Sequence, residues 1–273
     1  MRSSSACLSF IRKVKRQRTP ATFLAMKKYQ ATLLENRRLG PEIYSLWVKI
    51  ADLGEVKPGQ FFEFATGTRF LRRAFSLSDR DGDRLRFVVK VVGSGTRWLA
   101  GLSAGSKLDL LGPLGEGTRM PSSGPVMLLA GGVGAAPLLY LARKLNEQRV
   151  EVDALLAAGT EEELILAEEF GSLCREVILA TDDGSCGHKG LLTDILPTLP
   201  GTKDIQSFYA CGPEAMFVAL KRLNFRKPVH AFLESRMGCG TGLCMGCAVR
   251  GRDGRYRRVC TDGPVFDLEE IEL

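Results

Sequence analysis

No stretch of about 18 consecutive apolar residues occurs, so no membrane-spanning helix is expected. Histidine is nearly missing. His188 and His230 are the only two in 273 residues, they stand apart, and no Ser/His/Asp grouping marks a hydrolytic triad. No catalytic acid, base or nucleophile is therefore assigned. Acidic residues are missing from the first 28 positions, where Arg2, Arg12, Lys13, Lys15, Arg16, Arg18, Lys27 and Lys28 hold the excess behind the formal charge of +7. Beyond them the chain is close to neutral, so no nucleic-acid surface is expected. Residues 1-26 read as an N-terminal extension, disordered or a mis-assigned start, because Met26-Lys27-Lys28-Tyr29 looks like a natural beginning ahead of the first periodic stretch. A Ser- and Arg-rich, acid-free segment also has the composition of a transit peptide. Neither an internal repeat nor a low-complexity tract is present.

What is there suits two ordinary globular domains and a short arm. In 27-123 apolar and polar residues alternate, as in Tyr44, Leu46, Val48 and Ile50, with further strand-like runs at 60-65, 84-92 and 106-111. Turn signals at Lys57-Pro58-Gly59, Asp81-Gly82-Asp83 and Gly112-Pro113 separate them. This predicts an antiparallel β-barrel, interrupted by a short helix at 96-103. At Pro121-Ser122-Ser123-Gly124-Pro125 the pattern changes. Over 124-235 continuous apolar runs (126-132, 152-159, 176-183, 207-212, 230-235) alternate with helical segments (135-148, 161-172, 190-197, 214-223), which predicts a parallel sheet covered by helices on both faces. Residues 236-273 form the arm.

The arm carries Cys239, Cys244, Cys247 and Cys260 in the pattern C-x4-C-x2-C-x12-C, the spacing of a plant-type [2Fe-2S] site. Gly238, Gly240, Gly242 and Gly246 let a short loop close on such a core. Zinc is the alternative, but zinc sites usually pair two C-x2-C knuckles, and here only Cys244 and Cys247 make one. The other cysteines, Cys7, Cys174, Cys186 and Cys211, are scattered, which suits a reducing compartment and a cytoplasmic location.

Two further segments carry chemistry. Arg73-Ala74-Phe75-Ser76, read as the end of a barrel strand, sets a guanidinium for a phosphate three residues before a hydroxyl, an exposed basic strand end being the plainer alternative, and Gly93-Ser94-Gly95-Thr96 opens the short helix with free amides. Gly131-Gly132-Val133-Gly134-Ala135-Ala136-Pro137 follows the first strand of the parallel sheet, where glycines let backbone approach a pyrophosphate; a tight turn needed only for packing is the plainer alternative. Cys211-Gly212-Pro213-Glu214 follows the fourth strand.

Taken together, R-x-x-S on a barrel, G-x-G-x-x-P opening an α/β domain and a CGP turn resemble the ferredoxin–NADP reductase family of flavoproteins. The run RRAFSLS, VVKVVGSGT, GPLGEG, AGGVGAAP, ACGPEAM, ESRMGCGTGLCMGCAV and VCTDGPVF narrows this to the electron-transfer subunits of class 1B, NAD-dependent dihydroorotate dehydrogenases, over about Lys27 to Leu273. That resemblance implies FAD on Arg73, Ala74, Phe75, Ser76, Val88, Val89, Lys90, Gly95 and Thr96. It implies NAD on Gly131, Gly132, Gly134, Pro137, Cys211, Gly212, Pro213 and Glu214, and a [2Fe-2S] cluster on the four arm cysteines. Ala74 departs from the family's frequent proline. Thr160, Glu161, Glu162 and Glu163 offer no cation for a 2′-phosphate, which favours NAD over NADP. The implied role is passing electrons from a dihydroorotate-oxidising FMN subunit through the cluster and FAD to NAD in pyrimidine (UMP) biosynthesis, as a heterotetramer. A subunit of another NAD(P)H-linked reductase, working with ferredoxin or a sulfur compound, and a zinc-knuckle binding protein are the alternatives.

Overall fold

The computed structural model describes residues 26–121 and 124–273. The expected extension up to residue 25, Cys7, and Ser122 and Ser123 of the expected boundary turn lie outside the described residues.

Six antiparallel strands close a barrel: β1 (Lys27–Gly40), β2 (Ile43–Lys49), β3 (Phe61–Phe64), β4 (Arg73–Asp81), β5 (Arg84–Lys90) and β6 (Lys107–Leu114), in the order β1-β2-β5-β4-β3-β6. Period-2 alternation sends Leu46, Val48, Phe62, Phe64, Leu77 and Phe87 inside, where Phe87 meets Phe62 and Phe64 edge to face. The expected runs omit β1, whose apolar residues Ala31 and Leu33 give way to charged ones, and they misplace Arg73. The segment Arg73 to Ser76 opens β4, and the alternation continues through Leu77 to the hairpin at Gly82, whose φ is +58°. Helix α1 (Ser94–Ala100) lies between β5 and β6.

Strands β7 (Val126–Gly131), β8 (Val152–Ala158), β9 (Glu176–Thr181), β11 (Ser207–Cys211) and β12 (Val229–Phe232) pair in parallel, as buried apolar runs require. The two-residue strand β10 (His188–Lys189) extends one edge. Helices α2 (Ala135–Glu147), α3 (Ala167–Leu173), α4 (Leu192–Ile195) and α5 (Glu214–Arg222) connect them. Two expected helices are shorter. In 161-172 a 3₁₀ turn at Glu161–Glu163 precedes α3, because Leu166 adopts φ +65° and buries itself, breaking the helix between them. In 190-197 the α-helix stops at Ile195, just ahead of Pro197.

The arm is sewn into this sheet. After the hairpin β13 (Ala248–Arg250) and β14 (Tyr256–Arg258), β15 (Val265–Asp267) pairs antiparallel with β12 as the far edge. Lys221 of α5 donates to the Ile271 carbonyl. One apolar core therefore runs from the barrel's Phe61 and Leu114 through the sheet to Cys247, Val259 and Cys260 of the arm.

Barrel and sheet are also locked by polar contacts. Tyr140 of α2 is buried with the barrel core and donates to the Val56 carbonyl (2.9 Å). Arg143, one turn on, holds Asp79 of β4 through two bonds of 2.6 and 2.7 Å. Arg86 of β5 reaches Glu169 of α3 (3.0 Å). Arg143→Ala leaves the carboxylate of Asp79, 5% exposed, without its guanidinium. Urea unfolding is expected to show a loss of about 2 kcal/mol, less than a fully buried pair would lose because Arg143 is partly in water.

Candidate redox-cofactor sites

At the start of β4 the side chains split between two faces. Phe75 turns toward the barrel interior, edge-on to Phe64 at 5.3 Å. Ala74 and Ser76 share the outer face with their register partners Glu63 and Phe61. The Arg73 guanidinium donates to two backbone carbonyls, of Leu71 (2.8 Å) and Arg72 (3.1 Å). A methyl built on Gly95 would stand 3.2 Å from both Arg73 Nε and Thr66 Oγ1, so α1 begins directly against these groups. Arg69 lies beside them and donates to Ser94 Oγ (3.0 Å). Thr66 is fully buried, and its hydroxyl has no hydrogen-bond partner among the described residues. A buried hydroxyl is costly to leave unpaired. An anion such as a flavin nucleotide phosphate would satisfy it together with Arg73, so the donor set fits FAD.

The other expected flavin residues take different stations. Thr96 Oγ1 accepts from the amides of Val92 (2.9 Å) and Gly93 (3.1 Å), so this hydroxyl closes its own loop. Val88 faces the α/β domain, whereas Val89 points into the barrel and presents backbone alone. Lys90 lies 3.6 Å from Glu163.

The two turns expected to bind nicotinamide dinucleotide come together. Strands β7 and β11 are neighbours, and the sheet order β9-β8-β7-β11-β12 reverses direction between them, the switch point where open α/β sheets bind ligands. A methyl on Gly134 would collide with the Cys211 carbonyl, and one on Gly131 would lie 2.9 Å from Pro213 Cδ. Gly132 has φ +54° with open space around it, so its backbone is free for a ligand. Pro137 is buried in the first turn of α2, and Glu214 begins α5. Burial pushes the Cys211 thiol well up, and the nearby Glu234 adds to this.

Glu234, near Cys211, and Thr66, against Gly95, lie beside the expected residues, and the motifs do not mark them. Burial raises the Glu234 carboxyl above its usual range. The available signal is its position, a carboxyl directly after an apolar strand at the binding end of the sheet. His230 instead stacks at 4.7 Å on Tyr209. A cleft of about 1670 Å³ exists, lined by charges of both signs such as Arg80, Arg119, Glu147 and Asp267, but it contains none of the expected cofactor residues.

In the arm, the four cysteines form two pairs. Cys247 and Cys260 are buried with their sulfurs 3.2 Å apart, too far for a disulfide. Cys239 accepts from the amides of Thr241 and Cys244, each at 3.4 Å. Burial pushes the Cys239 thiol up, but the Thr241 side chain together with these amides outweighs it and brings it down to about 6. Burial and then the Cys247 sulfur push Cys260 up to about 12, so Cys260 becomes a thiolate only beside a cation. Among the described residues no three metal-ligating side chains converge on one point. Two pairs of thiolates suit two irons better than one zinc.

Residues 234–272 match the family model described as the iron–sulfur cluster binding domain of dihydroorotate dehydrogenase B. A protein of Caldanaerobacter subterraneus named dihydroorotate dehydrogenase B (NAD(+)), electron transfer subunit, is 38% identical over 250 residues, covering 89% of this chain and 98% of the relative. One of the same name from Clostridium perfringens is 32% identical, covering 92% and 100%. A solved structure of an NADH-dependent reduced ferredoxin-NADP oxidoreductase superposes with a TM-score of 0.81 at 30% identity, covering 88% of this chain and 89% of the other. A ferredoxin reductase of carbazole 1,9a-dioxygenase, at 21% identity and a TM-score of 0.67, shares the fold.

Thr66→Val keeps the shape and removes the unpaired hydroxyl. Flavin titration is expected to show roughly tenfold weaker FAD binding, from the loss of about 1.5 kcal/mol of bonding to a charged phosphate, at unchanged iron content. The flavin-free chain is expected to unfold at the same or a higher urea concentration.

Proposed function

This chain belongs to the family of dihydroorotate dehydrogenase B (NAD(+)) electron transfer subunits, and on that premise we propose that it carries electrons from a dihydroorotate-oxidising FMN subunit to NAD. The observation that carries this reading is the match along nearly the whole chain, reinforced by the iron–sulfur family over 234–272. That second match sets aside the zinc knuckle.

The residues divide the task among three places. Arg73 and Thr66, with the amides around Gly95, hold the phosphates of FAD, while Ala74 and Ser76 present the outer face of β4 to its ring system. Val88, Val89, Lys90 and Thr96 shape the strand and loop around it, and Phe75 supports β4 from inside. Cys239, Cys244, Cys247 and Cys260 hold the cluster. The turns at Gly131 to Pro137 and Cys211 to Glu214 hold NAD. Bound FAD supplies the conversion between single electrons and a hydride. Proton chemistry on dihydroorotate belongs to the other subunit.

The partner is proposed to dock at the cysteine loop. Cys244 is exposed, and Leu243 and Met245 on either side of it are exposed apolar residues, 79% and 48%. A heterotetramer in the cytoplasm, and a division into 27-123, 124-235 and 236-273 with β15 reaching into the sheet, belong to the same proposal. A second reading, exchange between NAD(P)H and ferredoxin, is favoured by the 0.81 superposition on the ferredoxin-linked enzyme.

Co-purification tests the first reading. Anaerobic isolation should yield flavin, iron and a companion chain that oxidises dihydroorotate; a complex reducing only ferredoxin overturns it. Cys244→Ser is expected to abolish electron exchange with the companion while NADH still bleaches the flavin. Leu243→Glu is expected to weaken the complex by about tenfold or more in Kd, measured by titration calorimetry.

A further inference from the structure

Glu63 is an acid within an otherwise apolar run, Phe61-Phe62-Glu63-Phe64, and it is 2% exposed. Phe62 and Phe64 fill the barrel, so alternation turns Glu63 outward. Outward here does not mean water. A methyl built on Gly240 would stand 2.7 Å from Glu63 Cδ and Oε1 and 2.9 Å from Oε2, so the carboxyl plane lies against the backbone of the residue that follows Cys239. Gly240 also has φ +65°. The register partner of Glu63 on β4 is Ala74, between Arg73 and Phe75. Arg72 braces the same stretch by donating to the Glu63 carbonyl (3.3 Å) and to Asp109 Oδ1 (2.8 Å).

One side chain thus bridges the strand that bears the flavin-binding residues and the loop that bears a cluster ligand. Burying a carboxyl costs free energy that a leucine or methionine at this place would not incur. Arg72 attracts the carboxylate, and the carboxyl also has a shape those residues lack: its end is flat, and fits beneath a glycine where a branched or tetrahedral end would lift the loop.

We propose that Glu63 is a positioning residue for electron transfer, a flat seat that fixes the Cys239–Gly240 segment of the cluster loop relative to the flavin strand. The inference rests on the reading above that FAD and a two-iron cluster occupy these sites. It predicts that Glu63 and Gly240 act as one unit, and that shape rather than charge matters.

A double-mutant cycle over Glu63→Ala and Gly240→Ala in the full chain, loaded with FAD and iron, tests this. The readouts are the stopped-flow rate at which NADH-reduced flavin passes electrons to the cluster and the electron paramagnetic resonance spectrum of the reduced cluster. Each single variant is expected to slow that step by about tenfold or more at full cofactor content, since a misplacement of about 1 Å can cost on the order of 100-fold. In the Glu63→Ala background the added Gly240→Ala is expected to cost much less, the φ strain at 240 being common to both arms of the cycle. Glu63→Gln, flat but uncharged, is expected to restore the rate and spectrum to near wild type. Unchanged rates in both single variants, additive losses, or a Glu63→Gln as slow as Glu63→Ala each overturn the seat. Should Gly240→Ala fail to take up iron, recovery of iron in the double variant supports the seat and continued failure overturns it. A wild-type chain lacking flavin or iron, or whose cluster NADH does not reduce, overturns the functional reading and the seat with it.

Discussion

Strand β3 is buried along both of its faces, and the rest of the molecule is arranged around covering it. Inside the barrel, Phe62 and Phe64 are covered by Phe87 and Phe75. Outside, Phe61 lies opposite Leu114 of β6, and both join the core shared by the sheet and the cysteine arm. A closed barrel of this size cannot leave such a strand facing water without losing roughly 1.5–3 kcal/mol for each large apolar side chain exposed. The arm therefore belongs to the folded body of the protein, and its cysteines are placed by the same burial that completes the core. Cys247 and Cys260 are themselves part of that core, at 3% and 1% exposure.

The same economy orients the two nucleotide-binding regions. Tyr140 and Arg143 lie one turn apart on α2, and both engage the barrel: Tyr140 through the Val56 carbonyl, Arg143 through Asp79. Since α2 begins at the glycine turn after β7, anchoring its middle to β4 also fixes where that turn points relative to the start of β4. The glycines are demanded by this closeness. At Gly134 the chain passes so near the Cys211 carbonyl that no side chain can be accommodated. A helix dipole and open amides then face the switch point of the sheet, where a pyrophosphate is well placed.

Polar groups in the two cofactor regions are left incomplete. Among the described residues the buried hydroxyl of Thr66 is unpaired, and Arg73 donates to backbone carbonyls while Arg72, next to it, is paired with Asp109. Among the cysteines, the hydrogen bonds donated to Cys239 favour a thiolate, whereas burial of Cys260 opposes charge unless a cation is present. Such unsatisfied chemistry makes folding less favourable by itself and is offset when a phosphate or an iron arrives.

The sequence alone determined the two kinds of periodicity, the cysteine spacing and the glycine-rich turn, because each depends on residues close together in the chain. From these came the barrel, the parallel sheet with its helices and the iron–sulfur arm, with errors where local signals compete, as at Leu166 and at the start of β4. Only the tertiary structure decided that β15 completes the sheet, that Thr66 lies under Arg73 and Gly95, that the turns after β7 and β11 touch, and that Glu63 meets Gly240. Those are contacts between residues distant in sequence, set by register and by which faces must be buried. A three-residue strand, or a glutamate in an apolar run, has no local pattern that announces its partner.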